Sequence, residues 1–178
     1  MAGSAKGTRL ASVPAGTRPV SDRAREGVFS SLGSQVEGAR VLDLFAGTGA
    51  MGIEALSRGA ASALLVDSAP QAARAIGQNL QRTKLTSRGT VRRQDVLGAL
   101  RSGIGSFDLV ILDPPYRTPA AYLDQVLAEI AGQGAAAAGA TIVLTRSSRS
   151  YTPVIPVNWQ VARRLSYGDS AVLLFQTP

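Results

Sequence analysis

The sequence predicts an α/β fold: a doubly wound, Rossmann-like sheet that is mostly parallel and ends in an antiparallel C-terminal hairpin. Three observations lead to this prediction. Short apolar runs suited to buried strands alternate with segments of helical pattern. A glycine-rich loop follows the first of these strands, as in sheets that bind nucleotides. Near the end of the chain, two strand-like runs are joined by Gly168-Asp169, which is a hairpin signal.

The individual elements follow from capping residues and apolar patterns. Ser21 or Asp22 can cap a short helix that ends at Gly33 and has an apolar face formed by Ala24, Val28, Phe29 and Leu32. Further helices are predicted to extend to about Arg58 and to cover Pro70–Thr83, Val96–Arg101 and Pro119–Ala131. Strands are predicted over Arg40–Leu44, Ser62–Val66, Gly89–Arg93, Phe107–Leu112, Ala140–Thr145, Trp159–Tyr167 and Ser170–Gln176. The alanine- and glycine-rich segment Gly132–Gly139 is predicted to be a surface connection.

The chain length favours one compact domain. A chain of 178 residues can bury a full core, and no internal repeat divides it. We predict a loop-rich, basic N-terminal arm and short helix over residues 1–36, followed by the sheet domain over residues 37–178.

Charge points to an anionic partner. The formal net charge is +7. Four of the twelve acidic residues, Asp43, Asp67, Asp95 and Asp113, stand at predicted strand ends around one site, which leaves the outer surface more basic still. RNA or DNA is therefore the leading candidate partner. The plainer alternative is a basic surface that only keeps the protein in solution.

Missing residue types exclude several classes of chemistry. The sequence has no Cys and no His, so disulfides, zinc sites of the usual Cys/His type, histidine triads and cysteine nucleophiles are excluded, and no metal is expected. Residues 1–20 contain no apolar run suited to a signal peptide, and no stretch reaches membrane-spanning length. These observations predict a cytoplasmic protein.

The segment VLDLFAGTGAMG, Val41–Gly52, contains the pattern G-x-G-x-x-G. Alone this pattern is weak evidence, but acids follow three successive strands. Asp67 lies at the spacing at which a carboxylate can hold a ribose diol, and Asp95 can accept a hydrogen bond from an adenine amino group. Each acid could instead be a helix cap. Asp43 selects among ligands, because its carboxylate would repel the phosphates of NAD or ATP and attract a cation.

These features predict S-adenosylmethionine as the cofactor, since it joins a nucleoside to an ammonium and a sulfonium group. The predicted cofactor-binding residues are Asp43, Phe45, Ala46, Gly47, Thr48, Gly49, Asp67, Ser68, Asp95, Val96 and Asp113.

A second motif, Asp113-Pro114-Pro115-Tyr116, follows the apolar run LVIL. It could simply be a rigid turn, because proline cannot continue a strand ladder. It also resembles the [D/N/S]-P-P-[Y/F/W] motif of S-adenosylmethionine-dependent amino-methyltransferases. In that chemistry the Asp113 carboxylate and the Pro114 carbonyl would accept hydrogen bonds from an amino group and stabilise its developing positive charge. Tyr116 would stack on the base, so that Asp113, Pro114, Pro115 and Tyr116 are the predicted catalytic residues.

The N-terminal segment carries a more specific resemblance. Arg18-Pro19-Val20-Ser21-Asp22-Arg23-Ala24-Arg25-Glu26 and Phe29 resemble the RP-x-[ST]-D-R-x-RE-x-x-F signature of the RsmD-type small-subunit rRNA guanine-N2 methyltransferases. The stretch Asp43–Ala60, Asn79-Leu80, DPPY and Asn158-Trp159 also fit that family. The resemblance implies a methyltransferase domain over residues 37–178. It also implies methylation of guanine N2 in 16S rRNA within an assembling 30S subunit, by a chain expected to act as a monomer.

The same resemblance places the first helix over the cofactor mouth, where basic residues would meet RNA phosphate. The predicted RNA-binding residues are Lys6, Arg9, Arg18, Arg23, Arg25 and Arg117. Two features depart from the family. The arm lacks the apolar residues that commonly lead into it, and Asp67 stands where Glu is more frequent.

Three other functions remain open from the sequence. A related enzyme could methylate adenine N6 in DNA or RNA, or a protein glutamine, although glutamine-modifying relatives usually carry Asn in place of Asp113. A non-catalytic RNA-binding protein on a Rossmann-like sheet would need no intact cofactor site. An NAD-dependent oxidoreductase fits the glycine pattern but not Asp43 or DPPY.

Overall fold

The computed structural model describes residues 1–13 and 20–178. The α-helices in these ranges are α1 (Asp22–Leu32), α2 (Ala50–Ser57), α3 (Pro70–Arg82), α4 (Val96–Arg101) and α5 (Ala120–Gly132). The strands are β1 (Arg40–Leu44), β2 (Ser62–Asp67), β3 (Gly89–Arg93), β4 (Phe107–Leu112), β5 (Ala136–Ser147), β6 (Gln160–Tyr167) and β7 (Ser170–Gln176). No helix in the described part of the chain is long and apolar enough to cross a lipid bilayer.

All seven strands form one sheet in the order β3-β2-β1-β4-β5-β7-β6. Strands β1 to β5 pair in parallel, whereas β7 is antiparallel to both β5 and β6. The predicted doubly wound sheet with a C-terminal hairpin is confirmed. Because the strand order reverses between β1 and β4, the carboxyl ends of these two strands border the crevice in which such sheets bind ligands.

The core lies on both faces of the sheet, because successive side chains of a strand point to opposite sides. Val41 of β1 packs in a cluster with residues of α1, α2 and α3. Leu42 and Leu44 pack in a second cluster with residues of α4 and α5 and with Trp159. Burial on both faces explains why β1 is apolar nearly throughout.

Helix α1 confirms the predicted caps and apolar face. The Ser21 hydroxyl accepts a hydrogen bond from the Ala24 N–H at 3.1 Å, and Gly33 ends the helix with φ of 55°. The buried face consists of Ala24, Val28, Phe29 and Leu32. The Arg58 guanidinium lies 5.2 Å from the centre of the Phe29 ring, which ties α1 to the end of α2.

The prediction for Gly132–Gly139 was partly wrong, because β5 begins at Ala136. The Phe107 N–H donates to the Ala135 carbonyl at 2.9 Å, and the Gly139 N–H donates to the Pro178 carbonyl at 2.9 Å. The register between β4 and β5 shifts between Phe107 and Leu109, where the strand is irregular. Backbone pairing on both sides therefore outweighs the low strand propensity of alanine and glycine.

The described part of the predicted loop-rich N-terminal arm is held against α2 at its start. Residues Gly3–Ala5 form a 3-10 turn. The Ala2 N–H donates to Glu54 Oε1 at 3.0 Å, and the Ala5 N–H donates to Ser57 Oγ at 2.8 Å. Glu54 is buried and also pairs with Arg58 at 2.8 Å. A buried carboxylate with these partners anchors the first residues of the chain.

We propose that the arm, α1 and the sheet unfold as one cooperative unit. Phe29 is 1% exposed in the core cluster that α1 shares with the sheet. Phe29→Ala is expected to destabilise the whole chain by about 3–5 kcal/mol in urea unfolding. The control Val161→Ala, at an exposed site on β6, is expected to change the free energy of unfolding by less than about 0.5 kcal/mol. A separate early transition in the Phe29 variant, with an unmoved main transition, would contradict the proposal.

Candidate functional site

A cavity of about 620 Å³ lies at the carboxyl ends of the central strands. Residues of both predicted motifs line it, together with predicted cofactor-binding residues that follow β2 and β3: Asp43, Phe45, Ala46, Gly47, Thr48, Asp67, Ser68, Asp95, Val96, Asp113, Pro114, Pro115 and Tyr116. Of the predicted cofactor-binding residues, Gly49 lies outside this lining and instead caps α2. The arm contributes Ser12, Val13 and Val20, and the remaining lining residues are Ala50, Met51, Ala69, Arg117 and Tyr122. A cavity of this size accommodates a cofactor-sized ligand.

The glycine loop depends on backbone conformations that side chains rarely adopt. Gly47 and Gly49 have φ of 57° and 80°. A Cβ at Gly49 would lie 3.1 Å from both the Ile53 and Leu65 side chains, whereas one at Gly47 would meet no protein atom within 4 Å. Gly49 therefore serves close packing of the loop on β2, and Gly47 leaves open space at the cavity. Phe45 also has a positive φ, 61°, which is strained for a bulky residue.

Asp43 forms the acidic floor of the cavity. Its side chain is 1% exposed, and Oδ2 accepts a hydrogen bond from the Gly52 N–H at 2.8 Å. Burial raises the pKa of Asp43 to about 8, against the opposing effect of the Gly52 hydrogen bond and with reinforcement from the Asp113 and Asp67 charges. Burial also raises the pKa of Asp113 to about 7. Neither carboxyl group ionises easily in this buried site. A cation bound next to Asp43 and Asp113, on their solvent side, would stabilise the ionised form of both groups.

Asp67 shapes the loop directly. Oδ2 accepts from the Gly47 N–H and Oδ1 from the Ala69 N–H, both at 2.9 Å. The carboxylate thereby joins the end of β2 to the glycine loop. Each oxygen keeps a further lone pair, so the group can still accept hydrogen bonds from a ligand.

Asp95 caps the N-terminus of α4, which was the alternative role considered for each acid, and it also lines the cavity. Its Oδ2 accepts from the Gly98 N–H at 3.2 Å, and the Tyr122 hydroxyl donates to Oδ1 at 2.7 Å. Burial and the Asp95 charge raise the pKa of Tyr122 to about 12, so this hydroxyl stays protonated. In the described ranges no group of three or more Asp and Glu side chains is arranged to hold a metal ion.

The DPPY segment forms a turn at the cavity mouth. The Thr118 N–H donates to the Pro115 carbonyl at 2.9 Å. Tyr116 is 42% exposed, and its hydroxyl lies 3.3 Å from Ser170 Oγ, at the start of β7. The aromatic ring is thus fixed at its tip and accessible from solvent.

The sequence analysis assigned no role in the site to two residues that complete it. Tyr122 holds Asp95, and its ring packs edge-on against Phe45 with 6.4 Å between centroids. Asn79 is fully buried: its Nδ2 donates to the Thr48 carbonyl at 2.9 Å, and its Oδ1 accepts from the Ala11 N–H at 2.6 Å. Asn79 therefore joins the glycine loop to the arm. The available signal was a polar residue on the apolar face of α3, where burial without partners would be costly.

The predicted RNA-binding residues are in different environments. Lys6, Arg9, Arg23 and Arg117 are exposed, and Arg117 lines the cavity. Arg25 is engaged by Asp22 at 2.8 Å and Glu54 at 3.4 Å, which disfavours a role in RNA contact. Arg18 lies outside the described residues. The RNA contacts stay predictions.

Comparison with known proteins identifies the family. A family model described as "Conserved hypothetical protein 95" matches residues 1–176. The chain belongs to this family. The resemblance predicted from the sequence is thereby confirmed.

Among relatives of this family member, "Ribosomal RNA small subunit methyltransferase D" of Escherichia coli is 32% identical over 161 residues, or 90% of this chain and 80% of the relative. "Putative rRNA methyltransferase YlbH" of Bacillus subtilis is 40% identical over 121 residues, or 66% of each chain. The solved structure "Putative methyltransferase yhhF from Escherichia coli" superposes with a TM-score of 0.89 at 32% identity, covering 99% of this chain and 96% of that one.

The raised pKa values of Asp43 and Asp113 predict an unusual pH dependence of stability. Folded pKa values of about 8 for Asp43 and about 7 for Asp113 exceed the unfolded value of about 3.9, so the folded state retains protons that the unfolded chain has lost. The free energy of unfolding is therefore expected to fall as pH rises from about 5 to about 8. No histidine titrates in this window.

Urea unfolding at several pH values tests this expectation. Asp43→Asn keeps an oxygen for the Gly52 N–H but has no carboxyl group to titrate. The free energy of unfolding of this variant should therefore fall less with pH, by about 1.4 kcal/mol for each unit by which folding raises the pKa of Asp43. Asp108→Asn should leave it unchanged, since Arg40 lowers the pKa of Asp108 and that group is already ionised in this range. If the free energy of unfolding of the unaltered chain stayed constant or rose with pH, the raised pKa values of Asp43 and Asp113 would be refuted.

Proposed function

We propose that this protein transfers a methyl group from S-adenosylmethionine to the exocyclic N2 of a guanine in 16S rRNA, on an assembling 30S subunit in the cytoplasm. The observation that carries the proposal is one cavity in which the buried Asp43, the glycine loop and the DPPY turn meet. The family and the names of its rRNA methyltransferase relatives support the reaction and the substrate class.

The cavity residues fit this cofactor in size and charge. The open space at Gly47 admits close approach of a ligand to the backbone, and Asp67 at the end of β2 has free lone pairs for a ribose diol. Asp95 and Val96 border the region where an adenine ring would lie. Asp43 would be the counter-ion for the cationic tail. A bound cofactor supplies an electrophilic methyl group on a sulfonium centre.

Asp113 and Pro114 would orient the target amine. The exocyclic amine of guanine is a weak nucleophile, because its lone pair is delocalised into the ring. Hydrogen bonds from its two N–H groups to the Asp113 carboxylate and the Pro114 carbonyl would turn the nitrogen lone pair toward the methyl group and stabilise the charge that develops on nitrogen. As the N–C bond forms, the methyl–sulfur bond would break and leave the neutral thioether S-adenosylhomocysteine. An N–H proton would then pass to the Asp113 carboxylate, whose pKa burial holds above its ordinary value, so that the methylated amine leaves neutral.

Tyr116 would hold the base at attack distance. Its ring is accessible at the cavity mouth while its hydroxyl is held beside Ser170. An anchored ring loses little further freedom when a base stacks on it, and such stacking contributes about 1–3 kcal/mol. The net charge of +7 and the exposed Arg117 beside the mouth favour a nucleic-acid substrate over a small molecule. We propose that the protein acts as a monomer and without metal.

A methyl-transfer assay on 30S subunits from cells that lack this protein tests the proposal. Nucleoside analysis of the product should show N2-methylguanine. N6-methyladenine as the product would favour the adenine alternative, and RNA binding without cofactor binding would favour a non-catalytic protein. Asp113→Ala should lower kcat by about 100-fold or more with cofactor affinity retained, because the alanine side chain has no acceptor for the amino group and this acceptor acts chiefly in the transition state.

The control is Asp108→Asn, at the opposite end of the same strand, where the carboxylate pairs with Arg40 at 3.0 Å. This variant should keep kcat within about twofold of the unaltered enzyme, since an exposed ion pair contributes about 0–1 kcal/mol to stability. Near-normal turnover in the Asp113 variant would overturn the proposed role of that carboxylate.

A further inference from the structure

The Arg146 guanidinium is buried, and two of its nitrogen atoms have no hydrogen-bond partner in the described part of the chain. The residue is 6% exposed, and within residues 1–13 and 20–178 its Nε and Nη1 atoms have no hydrogen-bond partner. Burying a guanidinium without an anion is unfavourable, and proteins usually pair such a group. Burial accordingly lowers the pKa of Arg146 from its ordinary value. The energetic cost calls for a partner that the described chain does not supply.

The position of Arg146 relates it to the DPPY turn. Arg146 pairs with Ala171 across the β5–β7 ladder, and Leu144 pairs with Leu112 across the β4–β5 ladder. The β4–β5 ladder ends at this pair, so Arg146 lies two residues beyond Leu144 on β5, and Pro114 of the DPPY turn lies two residues beyond Leu112. Side-chain alternation places Arg146 on the sheet face of Leu144, in the second core cluster. Arg146 lies outside the residues that line the cavity, so the cofactor is not the missing partner.

We propose that Arg146 binds a phosphate group of the RNA substrate next to the target nucleotide. The proposal rests on the proposed function, since it presumes an RNA whose target base enters the cavity. The planar guanidinium presents Nε and one Nη side by side, which matches two phosphate oxygens. A phosphate also supplies the anion that the buried charge lacks, whereas the edge of a base would not.

The loop after β5 exposes two further side chains within five residues of Arg146 in the chain. Arg149 is exposed, and Tyr151 is 54% exposed. A cation and an aromatic ring a few residues apart suit the backbone and the bases of a single strand. Arg146 reaches this surface by a change of rotamer when RNA binds, as side chains at interfaces commonly do. In the free protein the guanidinium stays unpaired, which sacrifices stability for binding.

The experiment compares Arg146→Met, Arg146→Lys and the control Arg40→Gln, whose arginine is exposed at the amino end of the central strand β1. Affinity for 30S subunits from cells that lack this protein is measured with S-adenosylhomocysteine present, between about 50 and about 200 mM salt. Arg146→Met should bind about tenfold more weakly at low salt, and its log–log salt slope should shrink by about 0.7–0.9. Arg146→Lys should restore the slope and part of the affinity.

Thermal unfolding of the same variants separates a binding role from a structural one. Arg146→Met should melt at the same or a higher temperature, because an unpaired buried charge is replaced by an apolar side chain. A lower melting temperature, an unchanged slope and affinity, or weaker binding with an unchanged slope would each overturn the phosphate assignment. Cofactor titration of the unaltered protein is independent of Arg146. Its failure would sink the proposed function, whereas normal cofactor binding with an unaffected Arg146→Met variant would sink this inference alone.

Discussion

The hydrogen bond between the Asp43 carboxyl and the Gly52 N–H is the constraint on which the site depends. Asp43 lies on β1, a central strand of the sheet, where burial raises its pKa to about 8 although the hydrogen bond itself opposes this rise. This position requires a glycine, because a Cβ at Gly52 would lie 2.8 Å from the Leu65 side chain and 3.0 Å from Asp43 Oδ2. The fold thus buries the Asp43 carboxyl at an energetic cost, at the point where a cationic ligand would offset that cost.

Around this acid, polar side chains from distant elements fix the loop and arm. Asp67 holds Gly47 from β2, and Asn79 holds both Thr48 and Ala11 from α3. The groups that shape the glycine loop therefore also bring the arm, with Ser12 and Val13, to the cavity wall. Preorganisation of this kind leaves little reorganisation for the moment of methyl transfer. The DPPY turn completes the wall, with Tyr116 steadied by Ser170 of the C-terminal hairpin.

Local pattern was sufficient to predict the sheet and the residues at its strand ends. The apolar runs predicted β1, β4 and β7 with their observed bounds, and the acids after successive strands predicted much of the cavity lining. The early start of β5 was missed because its hydrogen bonds to the Phe107 and Pro178 backbone are not encoded in alanine and glycine. The structural role of Asn79 was missed for a similar reason: its side chain accepts a hydrogen bond from Ala11, 68 residues away. The unpaired burial of Arg146 likewise depends on tertiary packing.

The most direct test of the cationic-ligand account is the proton balance of S-adenosylmethionine binding. Calorimetric titrations at about pH 7, in buffers of different ionisation enthalpy, measure the protons released when the ligand binds. A cation beside Asp43 and Asp113 should lower both pKa values, so the account predicts net proton release that is clearly reduced in Asp43→Asn. Binding without proton release, or with the same release in that variant, would contradict it.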